Sequence, residues 1–156
     1  MLQRAEDVVL DVSGLVGIDY VPGGRSLCGV DCWGLVWLAM QRVHGGPELP
    51  RDPAEMLSEG TGKRVADAFR IVRASEAARM GDLAMMTGAG GDGLGGDGQA
   101  SGEANNEGRH VGIAIDRHRF LHAARAGKSS IASVEFFRRM DPGFVLYRAR
   151  CLEVLQ

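Results

Sequence analysis

The sequence predicts an α+β domain in which N-terminal helices pack on a mostly antiparallel sheet. Three observations predict it. The 156 residues carry 45% hydrophobic and 24% charged side chains with a net charge of −2, the proportions of one soluble globular domain. A helical apolar rhythm fills the first third of the chain, and short strand patterns replace it from Asp82 onward.

The first helix is expected over Asp31–His44, where Leu35, Val36, Ala39, Met40 and Val43 recur at i, i+3 and i+4 spacing and Gly45-Gly46-Pro47 ends the run. Asp31 is a good N-cap residue. It places Cys32 in the first turn, where exposed N–H groups and the macrodipole favour an anion and a lowered thiol pKa is expected. A second helix is expected from Pro53 through Arg70, interrupted near Gly60–Gly62, with Val65, Ala68 and Phe69 buried. Strands follow at Leu83–Met86, His110–Ile115, Phe120–Ala123 and Phe144–Ala149.

In the His110 strand, His110, Gly112, Ala114 and Asp116 share one face, and Val111, Ile113 and Ile115 turn to the core on the other. A three-residue turn at Asp116–His118 sets His122 opposite Gly112, one diagonal step from His110. A two-residue turn instead puts the imidazoles on opposite faces. Gly112 and Ala114 are expected to leave the face around the histidines open for a substrate.

Glycine is the compositional anomaly. Of 23 glycines, nine fall in Thr87–Arg109, a tract that also carries Asp92, Asp97, Glu103 and Glu107 against Arg109. The surplus is thus one acidic insertion between two strands, at 87–109 of a single domain spanning 1–156, and a candidate lid or docking loop. The rest of the chain sums to +1, which gives no footprint for nucleic acid. No stretch approaches the roughly 20 apolar residues of a membrane span. Residues 1–17 mix Glu6, Asp7 and Asp11 into their apolar run, so a secretory leader is not expected. Cys28, Cys32 and Cys151 are too few for a disulfide framework. Cys28 is expected as a free thiol, Cys151 as a packed hydrophobe, His118 as a solvated turn residue and His44 as a cation favoured at a helix end.

A thiol at a helix start and two histidines on neighbouring strands are the material of nucleophilic catalysis: nucleophile, base and a group that orients the base. Spacing alone leaves two other readings open. Cys32 can be a small buried cap residue beside ordinary strand histidines. One cysteine and two histidines can also bind zinc, although a nearby fourth ligand and a C-x-x-C element are missing.

The motifs carry a resemblance. Tyr20-Val-Pro-Gly-Gly24 followed by Asp31-Cys32-Trp33-Gly-Leu-Val36 resembles the Tyr-x-x-Gly-Gly … Asp-Cys-Ser-Gly-Leu-Val signature of the NlpC-type cell-wall cysteine peptidases. Gly81-Asp82-Leu83 is similar to the Gly-Asp-Leu that opens that family's sheet, and His110-Val-Gly-Ile113 with Phe120-Leu-His122-Ala to its histidine pair. The resemblance implies a papain-like fold with Cys32 as nucleophile, His110 as general base and His122 as the residue that orients it. Tyr20 is implied to lend its hydroxyl to substrate or oxyanion, with Asp31 and Trp33 beside it around the nucleophile. No cofactor or metal is implied. The implied reaction is hydrolysis of peptidoglycan stem peptides, commonly between D-glutamate and a diamino acid. Trp33 in place of the family's serine is similar to the branch encoded in phage tail and gene-transfer-agent clusters. That branch implies a particle component acting on the target cell wall, with other tail or baseplate proteins as partners. A structural tail subunit with an idle site, or a thiol amidase or acyltransferase on the same fold, remains the alternative.

Overall fold

The computed structural model describes residues 8–57, 59–73, 75–86, 110–125 and 127–154. The Gly-rich tract 87–109 lies outside the described residues. Two short strands, β1 (Arg25–Ser26) and β2 (Gly29–Val30), form an antiparallel hairpin ahead of α1 (Cys32–Met40). A 3-10 turn at Pro53–Leu57 precedes α2 (Glu59–Ala68). The chain then enters β3 (Phe69–Ile71), β4 (Leu83–Met85), β5 (Val111–Ala114), β6 (Arg119–Ala123) and β7 (Ser129–Ser133). After α3 (Val134–Met140) it returns as β8 (Val145–Ala149) and ends in α4 (Arg150–Val154). Six strands make one sheet in the order β3-β8-β4-β5-β6-β7, every pair antiparallel. The predicted fold class is the observed one.

The core has two sides. On one face Leu35, Val36, Ala39 and Met40 of α1 pack with Val111, Ile113, Ile115 and Leu121. α1 is buried nearly all round, as befits a helix whose sequence, CWGLVWLAM, has no charged residue. On the other face Phe137 of α3 packs with Ala84, Met86, Ala114 and Phe120. The parity of the β5–β6 turn is the three-residue one: Ile115 N–H donates to Arg119 O at 2.8 Å, and Gly112 pairs with His122.

Several expectations change. α1 stops at Met40, capped by Gln41, so His44 stands in the exposed turn beyond it and not at the helix end. The second helical run is divided into a 3-10 turn and α2, with Gly60 and Gly62 inside α2, and Phe69 leaves it to begin β3. Phe69 keeps its expected burial by pairing with Ala149 across the sheet. Cys151 is not packed: it is exposed on α4, its thiol donating to Gly45 O at 3.3 Å. Cys28 is exposed and free, and His118 is exposed in its turn.

The motif glycines are explained by contact. A Cβ on Gly34 would collide with the carbonyl oxygen of Gly24, so the hairpin lies directly against the first turn of α1. Gly81 takes φ +91°, the left-handed turn into β4 that a side chain would strain. Next to it, Asp82 accepts both Nε and Nη2 of Arg148, at 2.9 and 2.8 Å, with only 1% and 2% of the two side chains exposed. This buried pair ties β4 to β8. The Arg148 guanidinium is further satisfied by Ala77 O at 2.9 Å.

Candidate active site

Cys32 opens α1 because Asp31 caps it. Asp31 Oδ1 accepts Gly34 N–H at 2.7 Å and Oδ2 accepts Gly23 N–H at 3.0 Å. Arg25 donates to the same carboxylate at 2.6 Å and reaches Arg51 O with its Nε at 2.6 Å. Trp33 sends its indole N–H to Pro50 O at 2.9 Å. Asp31 and Trp33, both expected beside the substrate, are therefore buried and committed to protein partners that fix the helix start.

The thiol meets the sheet where the β5–β6 ladder ends. The last register pair is Gly112 with His122. One residue further, the Val111 backbone is among the groups that favour the Cys32 thiolate. The head of α1 thus lies at the entry to β5, the strand that His110 precedes. His110 is pinned there by its carbonyl, which accepts Met86 N–H at 2.8 Å.

The imidazoles meet as the diagonal register requires. His110 Nε2 and His122 Nδ1 lie 3.0 Å apart, with the rings edge to face at 5.2 Å between centroids. His122 Nε2 lies 3.4 Å from Ser130 Oγ on β7. The three side chains form a line across β5, β6 and β7 in which His110 keeps Nδ1 as its remaining nitrogen.

The face around the histidines is not open, contrary to expectation. Phe137 stacks on His110 at 6.1 Å and meets His122 edge-on at 5.3 Å, with Phe136 at 5.6 Å from His122. Gly112 serves this packing: a Cβ there would sit 3.0 Å from the Phe137 ring. The glycine admits an aromatic side chain of the protein where a substrate space was expected. Phe136, Phe137 and Ser130 were missed in the sequence because nothing in a polar Ser-Ser-Ile-Ala-Ser run or a short Phe-Phe helix signals which strand it will cover.

Burial sets the protonation states. Cys32 is 8% exposed, and desolvation, followed by the Asp31 carboxylate, pushes its thiol up to about 11. The expected lowering at the helix start is overridden, because loss of hydration outweighs the N–H groups of Val111, Trp33 and Cys32 that favour the thiolate. Burial and then the neighbouring His122 bring His110 down to about 4, and burial lowers His122 as well. The resting cluster is neutral at pH 7. Tyr20, half-buried, has its phenol raised by burial and then by the Cys32 sulfur, with the Arg125 guanidinium opposing the rise. Among the described residues, no three His, Cys, Asp or Glu side chains gather closely enough to hold a metal ion. No helix of the described chain is long and apolar enough to cross a membrane.

A thiol at the head of a buried helix, laid against an antiparallel sheet that carries an imidazole pair, defines the papain-like class of α+β domain. Residues 17–139 match the family model of the NlpC/P60 family, and the chain belongs to that family. Solved structures agree on the fold. The NlpC/p60 domain of the peptidoglycan hydrolase SagA is 23% identical, covers 86% of this chain and 91% of its own, and superposes with a TM-score of 0.52. An NlpC/P60 family protein from Bacillus cereus ATCC 10987 is 19% identical over 94% of this chain, with a TM-score of 0.50. This chain spans 43% of that protein's length. No curated protein matches in sequence.

Proposed function

We propose that this protein is a cysteine endopeptidase that hydrolyses an amide bond of peptidoglycan stem peptides, at the D-glutamyl to diamino acid linkage. The observation that carries the reading is the line His110, His122, Ser130, which leaves His110 Nδ1 as its remaining nitrogen at the entry to β5, where the Val111 backbone also favours the Cys32 thiolate. The family supports peptidoglycan as the substrate.

Protonation decides how such a site works. A thiol near 11 and an imidazole near 4 hold no stable ion pair, so His110 must take the proton as sulfur attacks the carbonyl. This needs His110 with Nδ1 unprotonated and Nε2–H donating to His122 Nδ1, and His122 in turn donating from Nε2 to Ser130 Oγ. His122 thus selects the tautomer and orientation of the base. Attack forms the C–S bond and a tetrahedral oxyanion, which backbone N–H groups at the start of α1 and the Tyr20 hydroxyl can receive. Collapse breaks the C–N bond as His110-H⁺ protonates the leaving amine. Water, deprotonated by His110, then cleaves the thioester and restores the thiol.

Trp33 favours a setting on a phage tail or gene-transfer-agent particle, where the enzyme opens the target wall among other tail proteins. Residues 1–156 act in this reading as one domain. Digestion of purified muropeptides under reducing conditions, with products identified by mass, tests the chemistry. Wild type should cleave and Cys32→Ala should lose about 10⁴-fold or more in rate. No cleavage by wild type sinks the peptidase reading; cleavage that survives in Cys32→Ala sinks the nucleophile.

A further inference from the structure

Three segments meet at the head of α1, and one side chain binds all three. Arg25 Nη1 donates to Asp31 Oδ1 at 2.6 Å and to Gly24 O at 2.8 Å, and its Nε donates to Arg51 O at 2.6 Å. The cap, the hairpin and the segment that follows α1 are thereby joined. Arg25 and Asp31 each leave only 10% of the side chain exposed, a depth at which a charge is costly unless an opposite one meets it.

The cap does not need Arg25 for its shape. Asp31 keeps Gly34 N–H on Oδ1 at 2.7 Å and Gly23 N–H on Oδ2 at 3.0 Å, both neutral donors. What the guanidinium adds is a positive charge on the residue next to the nucleophile. After burial, the Asp31 carboxylate is the next cause that disfavours the Cys32 thiolate. The other ionisable groups around this point are Tyr20 ahead of the hairpin, with Arg125 acting on it, and the His110–His122 pair at the head of β5. Both imidazoles resist protonation and the phenol is raised, so none of the three supplies a resting countercharge.

We propose that Arg25 is a positioning residue for the nucleophile: it offsets the Asp31 carboxylate beside Cys32, so that negative charge can build on the sulfur and then on the oxyanion, and it keeps the hairpin seated on the first turn of α1. The proposal rests on the peptidase reading and deepens it, because Arg25 acts on the reaction through Asp31. A purely structural arginine makes a different forecast. If its worth lies in Gly24 O and Arg51 O, removing the Asp31 charge cannot compensate for its loss; if its worth lies in the charge, it can.

The test reads alkylation of Cys32 by iodoacetamide at pH 8 on the full chain, each cysteine being followed by mass, with exposed Cys151 on α4 as the internal reference. The thiolate is the reacting form, so the Cys32 rate reports the charge balance at the sulfur. Arg25→Gln should slow Cys32 by about ten-fold, the thiolate lost in a rise of one pH unit, with Cys151 unchanged. Asp31→Asn keeps a capping side chain and drops the charge. The double variant Arg25→Gln/Asp31→Asn should therefore react at least about three-fold faster than Arg25→Gln, and Arg25→Lys should stay within about three-fold of wild type. A Cys32 rate unmoved or raised in Arg25→Gln, or a double variant no faster than Arg25→Gln, overturns the proposal. Should Arg25→Gln not fold, Arg25→Lys decides: a rate held within that range supports the proposal and a larger fall overturns it. Muropeptide cleavage is scored separately. Arg25-dependent alkylation without cleavage by the wild type overturns the peptidase reading and leaves the role of Arg25 at the thiol, whereas cleavage with Arg25-independent alkylation does the reverse. A wild-type Cys32 that iodoacetamide never modifies overturns both.

Discussion

Two buried polar clusters lie on the same sheet and have opposite electrostatics. At the β5–β6 end, Cys32 and His122 are buried and His110 partly so, without a countercharge, and the three stay neutral. At the β4–β8 end, Asp82 and Arg148 are buried still more deeply and face each other with two hydrogen bonds. Burial penalises charge in both places. Where a fork-shaped partner satisfies the charge, the outcome is a fixed joint; where none is supplied, the outcome is a set of groups able to pass a proton.

The contrast can be broken from the charged side first. Arg148→Met leaves Asp82 buried without its partner and should cost about 3–5 kcal/mol, read as a loss in denaturant midpoint with an unchanged slope. A cost under about 1 kcal/mol would show that water reaches Asp82 and that the joint is not dry. The neutral cluster is tested by acid. An unfolded His110 takes a proton below pH 6.5 while the folded ring resists down to about 4. The unfolded state therefore binds more protons across that window. His110 leaves stability intact above pH 6.5 and erodes it as pH falls toward 4, by up to about 3 kcal/mol. Urea unfolding at several pH values should show the loss in wild type and a shallower one in His110→Gln; equal slopes would mean that the ring is solvated. The same shift moves the acid limb of kcat/KM toward pH 4, away from 6.5. The smallest effect is expected from His122→Ala, which frees His110 to take the wrong tautomer. It should lower kcat by about 10²-fold with little change in KM, and a proportional rise in KM alone would assign His122 to substrate binding.

The two clusters also differ in how far the sequence disclosed them. Asp31, Cys32, His110 and His122 sit in local patterns: a cap three residues from the N–H it accepts, and two histidines separated by a turn. Only the parity of that turn was open, and the Ile115–Arg119 bond decides it. Arg148 gave no such sign, because its partner is 66 residues away and an arginine in a strand reads as solvent-facing. β3 was concealed by a helical pattern that continues past Gly62 into Phe69, and β7 by its serines, two of which serve the interior: Ser129 binds Ile18 N–H and Leu15 O, and Ser130 approaches His122. The thiol's pKa was misjudged for a physical reason. A helix start is a local property, whereas the burial that outweighs it comes from the sheet laid across Cys32.

The contact between Gly34 and Gly24 has a consequence for anyone wishing to move this chemistry elsewhere. With the hairpin carbonyl seated on the helix where a side chain would begin, and Arg25 reaching from that hairpin to the Asp31 cap, the stretch from Tyr20 to Val36 is an indivisible cassette. A graft of the helix alone would carry the nucleophile but lose the tyrosine, the cap's second partner and the orientation of the first turn; transplanting the seventeen-residue piece whole preserves all three.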